Sequence, residues 1–114
     1  MAAGTDGQRW AVSLSVPRRG GWRAWGTASG AFENGLVAQE SDVVTAPRID
    51  SESRRGADYV RVTLSMTVTA TDVAQALATA WWTFRRAAGD DSAGWDMARA
   101  QADVRPAPVA VRRS

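Results

Sequence analysis

The residues Tyr59–Ala70 alternate without a break, and this constrains the chain more than any other stretch. Val60, Val62, Leu64, Met66 and Val68 fall on one side, and Tyr59, Arg61, Thr63, Ser65, Thr67 and Thr69 on the other. A period of two means a strand with one buried face and one wet face. The threonines suit this role, because a branched Cβ favours extended backbone.

The period then becomes helical. Val73, Leu77, Ala80, Trp81, Phe84 and Ala88 recur at three- and four-residue steps, which predicts one apolar stripe on a helix from Asp72 to Ala88. Asp72 is the predicted N-cap, with Gln75 placed as its capping-box partner. Arg85 and Arg86 suit the negative end of the helix dipole, and Gly89 supplies a C-terminal stop. Asp90 to Gly94 reads as a turn. Trp95 to Arg105 reads as a returning strand with Ala98, Ala100, Ala102 and Val104 on its inner face, where small side chains let the helix approach. Pro106 and Pro108 end the pairing.

The first half is less regular. Trp10, Val12, Leu14 and Val16 form a strand pattern closed by Pro17. Ala31–Glu33 and Leu36–Ala38 flank Asn34-Gly35, a strong two-residue hairpin signal. A further extended piece reaches Val43 and Val44 before Pro47, and the charged stretch from Arg48 to Asp58 reads as an exposed loop. Together these predict an α+β fold: a mostly antiparallel sheet of about four or five strands with one long helix packed on one face. The length predicts a single domain over residues 10–106, with flexible ends at 1–9 and 107–114. The strand–helix–strand unit is similar to half of a ferredoxin-like domain. The first helix of that arrangement is missing from this reading, and the fold hosts unrelated functions.

Composition bounds the chemistry. All 14 basic residues are arginine; there is no Lys, His or Cys. The sequence isoelectric point of about 10.4 reflects the lack of groups that titrate near neutrality, because the net charge is only +2. Arginine without lysine, together with 22 alanines, fits the coding bias of a high-GC genome. Without Cys there is no disulfide, thiolate nucleophile or cysteine-bound metal. Without His or Lys there is no imidazole acid/base, Schiff base or phosphate-loop lysine. Carboxylates remain: Glu40/Asp42, Asp50/Glu52 and Asp90/Asp91/Asp96. Asp90 to Asp96 lacks the alternating acids and closing glutamate of a calcium loop, and the clusters read as solvated turns. No catalytic residue, metal site or cofactor is predicted, and an enzyme working with carboxylates alone ranks last.

Two features point to binding. Arg18, Arg19, Trp22, Arg23 and Trp25 interleave guanidinium groups and indoles on a glycine-rich backbone. They suit stacking and phosphate contact with single-stranded nucleic acid, a protein interface, or a hairpin folded back on the core. Trp82 follows Trp81 on the helix and falls at the edge of the buried stripe, placed either to cover the sheet margin or to contact another subunit. Only 19 of 114 residues are Leu, Ile, Val or Phe, a thin aliphatic core. The reading is therefore a small non-catalytic binding or assembly module, most simply a homodimer, with nucleic-acid binding second. No segment of signal-peptide or membrane-span character is seen, so a cytoplasmic location without membrane contact is the expectation.

Overall fold

The computed structural model describes residues 7–52, 59–89 and 94–107. Its elements run β1 (Gln8–Arg19), α1 (Gly21–Val37), β2 (Val44–Glu52), β3 (Tyr59–Ala70), α2 (Val73–Ala88) and β4 (Gln101–Pro106), with one 3-10 turn at Met97–Arg99. The four strands form one antiparallel sheet in the order β2-β3-β1-β4. This order of β-α-β-β-α-β elements is the split βαβ arrangement of ferredoxin-like domains.

The α+β class and the antiparallel sheet agree with the sequence; the number of helices does not. The hairpin assigned around Asn34-Gly35 is the last turn of α1. Trp25, Phe32 and Leu36 are buried and Ala28 packs against them, a helical spacing hidden among four glycines. Gly35 is there for proximity: a Cβ built on it would stand 2.9 Å from the Ala87 carbonyl oxygen of α2. The supposed turn signal is a helix–helix contact.

β1 also continues past Pro17 to Arg19. The last β1–β4 pair is Ser15 with Gln101, so Pro17 lies beyond that ladder and its missing N–H breaks no strand bond there. Its carbonyl accepts from the Asp96 N–H at 2.9 Å. The loop assigned from Arg48 is strand as far as Glu52; residues 53–58 lie outside the described residues. β2 passes Pro47 by a bulge between Thr45 and Arg48, with Ala46 at φ 52°, which an edge strand tolerates. The returning strand begins at Gln101 rather than Trp95. Trp95 instead bridges to Arg18, and Ala98 sits in the 3-10 turn.

The β1 and β3 faces from Trp10 to Val16 and Val60 to Val68 are buried as read. The Trp10 indole N–H donates to the Ala70 carbonyl at 3.1 Å, which lets that ring lie inside. On α2 the cap holds: Asp72 Oδ1 accepts from the Gln75 N–H at 2.8 Å, and Gln75 Oε1 accepts from the Thr71 N–H at 2.7 Å. The buried stripe is turned from the expected one. It comprises Ala76, Ala80, Thr83, Phe84 and Ala87, while Val73 is exposed and Leu77, Trp81 and Ala88 are half-buried. Thr83 can be fully buried because its hydroxyl donates to the Thr79 carbonyl at 2.8 Å, so no polar group is left unmet. That rotation brings Ala87 against Gly35 and turns Leu77 and Trp81 toward the opposite flank.

Candidate functional site

The arginine–tryptophan segment divides between the interior and the surface. Gly20 and Gly21, at φ 98° and 72°, turn the chain from β1 into α1, a conformation glycine adopts without a Cβ clash. Just before the turn, Arg18 points inward and is 8% exposed. Its guanidinium carbon lies 5.0 Å from the Trp95 ring centroid and 5.8 Å from that of Trp25. Trp25, Phe32, Phe84 and Trp95 form one aromatic cluster with centroid separations of 5.0–5.8 Å. Gly94 keeps the guanidinium in place, since a Cβ there would meet it at 3.1 Å. Arg18 and Trp25 are therefore core components, while Arg19, Trp22 and Arg23 face solvent. Trp22 is 55% exposed. The two indoles do not form one stacking platform.

A cleft of about 670 Å³ opens beside this segment, lined by Pro17, Arg19, Gly20, Gly21, Tyr59, Asp96 and Arg99. Its charges are partly matched: Asp96 lies 4.0 Å from Arg19 and 3.7 Å from Arg99. Two of the other carboxylates bond locally. Glu40 accepts from the Ala46 N–H and Asp50 from the Ser51 N–H, each bracing its own turn or strand end. Asp90 and Asp91 lie outside the described residues. Among the described residues no three His, Cys, Asp or Glu side chains gather as metal ligands.

Trp82 is 54% exposed on the outer surface of α2. Its ring lies under Arg86, with the guanidinium carbon 4.6 Å from the centroid, and Arg86 Nε donates to Gln39 Oε1 at 3.1 Å just past α1. No helix among the described residues is long and apolar enough to cross a membrane.

Both helices cover one face of the sheet. Among the described residues no helix covers the other face, which carries the half-buried Ala11, Ser13, Ser15, Thr63, Ser65 and Thr67 at its middle and Arg61 donating to Ser15 Oγ at 2.9 Å. RNA-binding sheets of this topology stack bases on aromatic side chains at such central positions. Alanine, serine and threonine stand there instead.

The least covered element is β4. Among the described residues it forms one edge of the sheet with no further strand beside it, and of its six residues only Val104 is even half-buried. The Ala107 N–H donates to the Arg9 carbonyl at 2.9 Å. By alternation along an antiparallel ladder, Arg105, Asp103 and Gln101 also bond toward β1, while Ala102 and Val104 direct N–H and C=O outward. Pro106 faces outward too, where it has no N–H to offer. The sequence contained one sign of this edge, the proline closing an otherwise regular strand. No protein-family model, curated protein or solved structure matches the chain.

Proposed function

We propose that this protein is a small non-catalytic assembly module that associates with another folded chain through the margin of its sheet at β4. The observation that carries the reading is the exposure of β4. Ala102 and Pro106 alternate with the exposed-face residues and so belong to the helix side, yet both are exposed. A strand open on both faces and along one edge leaves backbone donors and acceptors for a partner. The opposite edge is less inviting, because β2 carries a bulge, Pro47 and the charged Arg48, Asp50 and Glu52.

Single-stranded nucleic-acid binding has weaker support. Of the two indoles in the 18–26 segment only Trp22 offers a face to solvent, and stacking gains accumulate base by base.

Light scattering on the unmodified chain, from low to high micromolar concentration, tests the assembly reading. A mass rising above the 12.2 kDa monomer is the expected result. A monomer mass throughout overturns self-association as the working mode.

A further inference from the structure

Resting on that assembly reading, we infer that the partner at this edge is a second copy of the chain, joined β4 to β4 about a two-fold axis through Val104. A two-fold pair requires that if one residue faces another, the reverse also holds. Antiparallel edge pairing meets that condition for any centre, so the side chains must choose the register.

Centring on Val104 places its outward N–H and C=O opposite the same groups of the other copy, giving two bonds. Ala102 N–H then donates to the carbonyl of the other Pro106, twice by symmetry. The missing proline N–H lies at the end of this short ladder, so it costs nothing at the axis. On the face away from the helices, each Asp103 stands opposite an Arg105 of the other copy. These are the non-hydrogen-bonded positions, where facing side chains are closest. Within one chain Arg105 Nε already reaches Asp103 Oδ2 at 2.7 Å, with both side chains exposed. The pair would exchange an internal contact for two cross-copy contacts.

Neighbouring registers lack this match. Centring on Asp103 sets the two carboxylates against each other, and centring on Arg105 does the same with two guanidinium groups. Centring on Ala102 puts Arg105 opposite Arg99. Like charges directly opposed destabilise a strand pair, whereas opposite charges stabilise it. The charge order Asp103-Val104-Arg105 thus favours one register.

The helix side agrees. Val104, the half-buried residue of β4, would meet its copy at the axis. Leu77 and Trp81 lie about 100° round α2 from the Ala87 flank that touches α1, and so overhang the β4 side. Both pack against the core but keep part of their surface in solvent. Pairing at β4 would extend apolar cover along that flank.

The decisive variant is Val104→Pro. It removes an N–H that points away from β1, so the internal ladder is untouched and the arrangement at Pro106 is simply repeated. Dimerisation should weaken at least about tenfold, since two central hydrogen bonds are lost, while the far-UV circular dichroism stays as in the unmodified chain. Asp103→Arg should weaken the dimer in the same assay, and Asp103→Arg/Arg105→Asp should restore it. This charge exchange decides the matter should Val104→Pro fail to fold. A dimer unaffected by Val104→Pro and by Asp103→Arg places the contact elsewhere and overturns the edge, leaving assembly intact. An unmodified chain that stays monomeric across the concentration series overturns the second copy as the partner at this edge.

Discussion

Gly35 of α1 and Ala87 of α2 meet so closely that a methyl group on the first would lie 2.9 Å from the carbonyl oxygen of the second. The obstacle is backbone, which cannot rotate aside. Gly35→Ala should therefore destabilise the fold by about 1–3 kcal/mol despite alanine's better helix propensity. Gly26 and Gly30 lie in the same helix, and a Cβ at either meets nothing within 4 Å. Gly26→Ala and Gly30→Ala should each stabilise by about 0.4–1 kcal/mol. Denaturant midpoints of the three variants check the opposite signs.

Arg18 should not tolerate lysine. Its planar guanidinium lies over both Trp95 and Trp25, and an ammonium group lacks that flat surface. Arg18→Lys is expected to cost about 1–2 kcal/mol with the charge kept. Arg19→Lys, on an exposed side chain, should stay within about 0.5 kcal/mol. Equal midpoints for the two variants would argue that the aromatic stack contributes nothing.

Phe84 and Trp82 sit two residues apart on α2 with opposite surroundings. Phe84 is buried against Phe32, Trp81 and Trp95, and Phe84→Ala should cost about 3–5 kcal/mol. Trp82→Ala removes an exposed ring and should cost less than about 1 kcal/mol in thermal or chemical melts. If the order were reversed, the α2 face would be misassigned.

Fluorescence gives an independent test of the division within residues 18–26. Trp10, Trp25 and Trp95 are buried, whereas Trp22 and Trp82 are more than half exposed. Acrylamide quenching should fall sharply in Trp22→Phe/Trp82→Phe and hardly change in Trp25→Phe, provided the latter folds. Quenching dominated by Trp25 would contradict its place in the aromatic cluster.

The strand Tyr59–Ala70 and the two ends of α2 were legible because local and tertiary preferences agree there. Alternation over 59–70, the Asp72 cap and the Gly89 stop each say what the packing also requires. α1 was illegible for the opposite reason. Glycine disfavours helix, and this helix holds Gly21, Gly26, Gly30 and Gly35 without a side-chain cap or end charges matched to its dipole. Only burial of Trp25, Phe32 and Leu36 makes it helical, and that depends on contacts distant in sequence. On α2 the apolar periodicity misses the true face because that face includes Thr83, a polar residue whose hydroxyl is satisfied within its own helix. The edge at β4 needed strand order, which no local pattern carries.

That strand order has a consequence for the chain during synthesis. β1 is flanked by β3 and β4, and β2 pairs with β3, so every strand pair includes a partner from Tyr59 onward. Nothing in the first half can close a sheet with anything else in the first half. A nascent chain halted before β3 thus has Trp10, Val12, Leu14, Trp25 and Phe32 made but no surface to lay them on, and α1 is too glycine-rich to stand alone. Folding has to wait for the far half to leave the ribosome, which makes the interval between β2 and β3 the one in which this protein most needs protection from aggregation.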